Sequence, residues 1–140
     1  MKRLISTIAL LFAATISFCQ SPAIRVVKVG KGSPILFLPG FTSPGSVWNE
    51  TIKNLKGQNE SHIISYAGFN GTEPIKMPWY ETIKKELLVY IRTENLANIK
   101  IIGHSMGGNL AVDIAAELPD GVKSLIIVDD ARRLRQSASL

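Results

Sequence analysis

Apolar strands alternating with amphipathic helices from residue 34 to residue 128 predict an α/β domain with a mostly parallel sheet and helices on both faces. One strand segment, residues 34–38, is a continuous apolar run, the mark of a strand buried on both faces. The segments between strands repeat apolar residues at spacings of three and four, as a helix with one buried face must. Hydrophobic residues make up 46% and charged residues 19%, which suits a packed core rather than a disordered chain.

Taken in order, residues 24–29 read as a short strand ended by Gly30-Lys31-Gly32. Residues 34–38 form a buried strand, broken by Pro39-Gly40. A helix then places Trp48, Ile52 and Leu55 on one face and ends at Gly57. Residues 62–66 form a third strand. The stretch 67–78 carries Gly68, Asn70-Gly71, Pro74 and Pro78, all loop signals. The next helix turns Trp79, Ile83, Leu87 and Tyr90 inward, with Glu81, Lys84, Lys85 and Glu86 largely outward. Residues 98–103 make a strand on Ile99, Ile101 and Ile102. A helix over residues 106–118 follows, with Leu110, Ala111, Ile114, Ala115 and Leu118 to one side, stopped by Pro119-Asp120-Gly121. Residues 122–128 are a further apolar strand. Residues 131–140 break the pattern and read as an unstructured tail, which leaves residues 20–130 as the folded domain.

Residues 1–19 read as an export signal: Lys2 and Arg3 form the positive end, residues 4–18 the apolar stretch, and Ser17-Phe18-Cys19 the cleavage site before Gln20. The expected destination is secretion or the periplasm. A membrane span needs about 20 apolar residues. This run is shorter, holds Ser6, Thr7, Thr15 and Ser17, and stops at Gln20-Ser21-Pro22. A lipid anchor on Cys19 is the alternative, opposed by bulky Phe18 where such signals use a small residue. Membrane contact is expected only through this segment or such a lipid. Cleavage after Cys19 removes the one cysteine and with it any disulfide.

The net charge of +5 belongs to the ends. Lys2, Arg3, Arg132, Arg133 and Arg135 account for five of sixteen basic residues, so the body carries 11 against 11 acids. No basic stripe with interleaved aromatics appears, and nucleic acid is not an expected partner.

The chemistry concentrates in Gly103-His104-Ser105-Met106-Gly107-Gly108, a G-x-S-x-G pattern between an Ile-rich strand and an Ala/Leu helix. A chain that reverses from strand to helix within a few residues holds the serine in a strained conformation, and side chains at Gly103 and Gly107 would collide across the turn. The hydroxyl of Ser105 is thereby lifted above the sheet, over a helix N-terminus that favours negative charge. Ser105 is the candidate nucleophile. Leu38-Pro39-Gly40-Phe41-Thr42 follows the first buried strand, at the place where an oxyanion loop stands in this architecture. The expected oxyanion donors are the backbone N–H groups of Met106 and Phe41, with Gly40 allowing close approach of substrate.

The Phe37-Leu38-Pro39-Gly40-Phe41 loop, the Ser105 elbow and the Ser124-Leu125-Ile126-Ile127-Val128-Asp129 segment together resemble the α/β-hydrolase family, over about residues 24–129. The resemblance implies a serine hydrolase of esters, thioesters, amides or lactones, working on a small-molecule acyl substrate without cofactor or metal. Serine at 105 argues against the aspartate-nucleophile branches. Many members carry His-Gly where this chain has Pro39-Gly40, which keeps the backbone donor and removes a polar side chain.

The family's triad runs serine, acid, histidine along the chain. No histidine follows Ser105 in the 140 residues. His104 is expected to point away from the hydroxyl, and His62, read as the start of its strand, to lie at the opposite end of the sheet. Asp129 and Asp130 end the last strand on the site's face, where some members place the triad acid; most place it one strand later. The family's sheet ordinarily has two more strands. The expectation is therefore an incomplete fold, inactive alone, whose last strand is an apolar edge open to self-association. The alternative is a non-catalytic binding or assembly module, and a third reading a protein anchored in the membrane by its N-terminus. Asn49-Glu50-Thr51, Asn59-Glu60-Ser61 and Asn70-Gly71-Thr72 match the glycosylation acceptor pattern.

Overall fold

The computed structural model describes residues 23–128. The export segment, Cys19, Asp129, Asp130 and the tail lie outside the described residues. The elements are β1 (Ile24–Gly30), β2 (Ser33–Leu38), a 3-10 turn (Gly45–Trp48) leading into α1 (Asn49–Lys53), β3 (Asn59–Tyr66), α2 (Trp79–Thr93), β4 (Ile99–His104), α3 (Met106–Glu117) and β5 (Val122–Val128).

The strands form one sheet in the order β1-β3-β2-β4-β5. β1 runs antiparallel to β3, and the β3–β2, β2–β4 and β4–β5 pairs are parallel. The mostly parallel α/β sheet expected from the sequence is thus observed. The central strand β2 has core on both faces, which explains its continuous apolar run. On one face Leu36, Leu38, Ile64, Tyr66, Ile99 and Ile101 meet Ile83, Leu87, Leu88 and Ile91 of α2 and Leu110, Ala111 and Ile114 of α3. On the other, Ile35, Phe37 and Ile102 are covered by Trp48, Ile52 and Leu55. The Phe37 and Trp48 rings lie 5.6 Å apart there.

Three local expectations change. The first helix is a 3-10 turn and five helical residues, closed at Asn54, so Gly57 lies beyond its end rather than capping it. α2 buries Ile83, Leu87, Leu88 and Ile91, leaving Trp79 and Tyr90 only half-buried at the stripe's margins. β3 starts at Asn59, three residues before His62. Asn59, Glu60 and Ser61 look like loop, but each pairs with β2 on one side, and Glu60 and Ser61 also pair with β1 on the other. Two ladders of hydrogen bonds override weak strand propensity.

Candidate active site

Parallel register fixes where the two motifs meet. Leu38, the last residue of β2, pairs with Gly103 of β4. The segments that leave these strands, Pro39–Thr42 and His104–Met106, therefore emerge side by side at the C-terminal end of the sheet, where open α/β sheets place their sites.

Ser105 has φ 51° and ψ −117°, a conformation outside the ordinary allowed regions. The turn is locked on three sides. The Ser105 N–H donates to Val128 O at 2.9 Å, tying the elbow to the end of β5. The N–H groups of Gly108 and Asn109 return to Ser105 O at 2.9 and 3.3 Å, starting α3. Gly103 and Gly107 sit so close that a methyl group at Gly103 would strike Gly107 O. A methyl at Gly107 would strike Leu38 O and Pro39 O. The elbow thus needs both glycines, as the motif implied, and Gly107 also sets how near the β2 loop comes. Met106 is the first residue of α3, so its N–H has no acceptor within the helix.

The β2 loop is closed by the Ser43 N–H donating to Gly40 O at 3.1 Å. Phe41 occupies the second position of this turn and Thr42, at φ 64°, the third. The turn bond does not use the Phe41 N–H. Phe41 and Met106, the two expected oxyanion donors, stand on the two segments that the register brings together. Gly40 has a reason the sequence did not reveal: a methyl there would lie 2.7 Å from Nδ1 of His104. The His104 ring is lodged against the loop backbone.

His62 is a correction. It is the fourth residue of β3, not the first, and it is fully buried. It pairs with Leu36, which pairs with Ile101, four residues before Ser105. That puts its backbone about 13 Å from the elbow along the strands, so the conclusion that it serves another purpose stands. Its Nδ1 lies 2.6 Å from the Tyr90 hydroxyl, while its buried Nε2 has no hydrogen-bond partner. Burial holds its pKa below the usual imidazole range, an effect partly offset by Glu60. Asp129, the candidate acid, follows Val128 directly but lies outside the described residues.

The sequence reading missed what surrounds the loop. Tyr66, at the end of β3, donates its hydroxyl proton to Pro39 O at 3.1 Å. Burial pushes its phenol pKa well up, so it remains a donor. Asn70 Nδ2 donates to Thr42 O at 3.0 Å. The Phe41 ring packs edge-on against Phe69 at 4.9 Å and Trp79 at 5.9 Å. The only sequence signal was Asn70-Gly71, read as a loop marker.

A family model described as alpha/beta hydrolase fold matches residues 33–137. Ethanol acetyltransferase 1 of Cyberlindnera fabianii is 38% identical over 107 residues, covering 75% of this chain and 32% of that protein. The pimeloyl-[acyl-carrier protein] methyl ester esterase of Legionella pneumophila is 31% identical over 110 residues, covering 79% of this chain and 43% of that protein. Among solved structures, a marine microorganism esterase matches with a TM-score of 0.67 at 31% identity, over 76% of this chain and 41% of its own. The chain therefore spans less than half the length of these relatives.

Proposed function

The chain belongs to the alpha/beta hydrolase fold family, and from that premise we propose that Ser105 is the nucleophile of a serine hydrolase acting on an ester, thioester, amide or lactone. The observation that carries this reading is the backbone of Ser105, held at φ 51° and ψ −117° between β4 and α3 beside the Gly40–Ser43 turn. Such strain persists where the surrounding structure over-determines it, and it clusters at functional sites.

In this reading the Ser105 oxygen attacks the acyl carbon, and the carbonyl oxygen gains negative charge between the N–H groups of Met106 and Phe41. Preorganised donors of this kind contribute about 3–4 kcal/mol each to such a transition state. Collapse expels the leaving group and leaves an acyl-serine, which water hydrolyses. The proton acceptor is not among the groups described: His62 is too far along the strands and His104 is lodged against Gly40. The match takes in only 32% and 43% of those relatives' own length. We place the triad acid and histidine in the remainder of the full-length protein, with Asp129 as the alternative acid. Export through residues 1–19 belongs to the same proposal, giving a mature chain that begins at Gln20.

The test uses an activated ester and a fluorophosphonate probe on two proteins, the full-length gene product and a polypeptide of these 140 residues. The full-length protein is expected to turn over and to label at Ser105, and Ser105→Ala to abolish both. The 140-residue polypeptide is expected to turn over at least a thousandfold more slowly, as an enzyme without its base does. Turnover by the full-length protein that survives Ser105→Ala would mean the nucleophile lies elsewhere.

A further inference from the structure

The loop that carries the Phe41 N–H abuts Gly107 and the His104 ring on the elbow side and is hydrogen-bonded from the β3 side, and we propose that residues 66–72, with Trp79, form a clamp that positions this oxyanion donor. Tyr66 and Asn70 are its positioning residues. The inference rests on the serine-hydrolase reading of Ser105.

The loop needs holding. Thr42 is β-branched and sits at φ 64°, a sparsely populated conformation for such a residue. Phe41 beside it is 58% exposed, so its own burial does little to fix the turn. The bond from Ser43 N–H to Gly40 O closes the turn but does not orient it relative to Ser105. The side-chain hydrogen bonds to the loop come from the β3 side. The Tyr66 hydroxyl holds Pro39 O before Phe41, and the Asn70 amide holds Thr42 O after it. The peptide that presents the Phe41 N–H is pinned by its flanks, and the Phe69 and Trp79 edges set the side-chain direction.

The clamp itself is built stiffly. The Thr72 hydroxyl lies 2.8 Å from Tyr66 O and 2.6 Å from Phe69 O, and the Phe69 N–H donates to it at 3.2 Å. The Gly68 N–H donates to Glu73 O at 3.0 Å and the Thr72 N–H to Phe69 O at 3.1 Å. Trp79 Nε1 donates to Ala67 O at 2.9 Å, fastening the segment to the start of α2. A displacement of about 1 Å at an oxyanion donor is enough to cost a large factor in rate. Tyr66 and Asn70 therefore act on the transition state through Phe41, without touching substrate.

Two substitutions in the full-length protein separate this role from general stabilisation. Tyr66→Phe removes the hydroxyl and keeps the buried ring. Asn70→Gly removes the amide at a residue with φ 54° and keeps the backbone comfortable there. Each is expected to lower kcat on an activated ester about tenfold, short of the roughly 100-fold that loss of an oxyanion donor costs, with KM within about twofold. Hydrogen exchange of the loop amides at residues 41–43 should rise while that of β3 and β4 stays unchanged. Unchanged kcat in an active protein overturns the inference, and so does a rise in exchange spread over the whole sheet. If the unsubstituted protein neither turns over nor labels at Ser105, the nucleophile reading itself has failed, and faster loop exchange would then show a clamp with no catalytic role.

Discussion

At the scale of single residues, the site is governed by what cannot be present. Gly107 has Leu38 O and Pro39 O where a side chain would begin. Both are backbone atoms of a buried segment and cannot swing aside as a flexible side chain would. Gly107→Ala must therefore push the β2 loop away from the elbow. Overpacking of this kind costs about 1–3 kcal/mol. The expected outcome is a lower urea midpoint at unchanged m-value, with fluorophosphonate labelling of Ser105 reduced by more than the fraction unfolded accounts for. A Gly107→Ala protein with native midpoint and native labelling would show that the loop does not depend on this contact. Ser105 and its glycines were legible in the sequence because a strand-to-helix reversal makes its demands within five consecutive residues. Tyr66 and Asn70 were not, because their partners Pro39 and Thr42 lie 27 and 28 positions away, and only the pairing of β2 with β3 brings them near.

At the scale of elements, β3 shows both how far pattern reading reaches and where it stops. Its second part, residues 62–66, reads directly as strand. Its first part carries no such signal, because Asn59, Glu60 and Ser61 show no apolar alternation although β3 lies between two partner strands. The consequence is a fully buried histidine in the middle of the sheet. The face of β3 that holds His62 packs on the C-terminal half of α2, with Tyr90 against the ring. Lys28 of β1 and Glu94 after α2 form an ion pair nearby, and Glu60 lies 3.7 Å from Nε2. Desolvation dominates, so His62 takes a proton less readily in the folded chain than in the unfolded one. The linkage then has a definite sign. Above about pH 6.5, the unfolded value, both states are neutral and this contribution to stability is complete. As pH falls below that value, the unfolded chain binds a proton that the folded chain resists, and stability declines until the folded pKa is reached. The urea midpoint should fall between pH 7 and pH 5.5, above the range where exposed carboxylates titrate. In His62→Leu that slope should be much reduced. An equal slope in both proteins would assign the acid sensitivity to another group.

At the scale of the whole molecule, the described sheet has unlike edges. β1 presents Arg25 and Lys28 along its length and runs antiparallel, and charged edge residues oppose pairing with further strands. β5 carries a single charge, Lys123, and among the described residues it pairs with β4 alone. Leu125 packs on the core shared with α2 and α3, whereas Ile126 and Val128 on the opposite face are 54% and 45% exposed. Among the described residues, β5 is the last strand of the sheet on this side and carries these exposed apolar side chains. Among the described residues, too, the outer backbone groups of β5 meet no further strand and lie beside exposed branched side chains, the combination that templates pairing between chains. A polypeptide of these 140 residues is expected to self-associate, and sedimentation velocity should show species larger than the monomer at micromolar concentration. Ile126→Lys places a charge on the exposed face without disturbing Leu125, so it should shift that polypeptide toward monomer. In the full-length protein the sign reverses if further chain covers β5. There Ile126 would lie in an interior, and a lysine would destabilise by several kcal/mol because a buried unpaired charge is strongly disfavoured. Opposite effects of one substitution in the two proteins would identify β5 as an internal strand of the complete sheet. A 140-residue polypeptide that sediments as a monomer, with or without Ile126→Lys, would show that the edge is not adhesive.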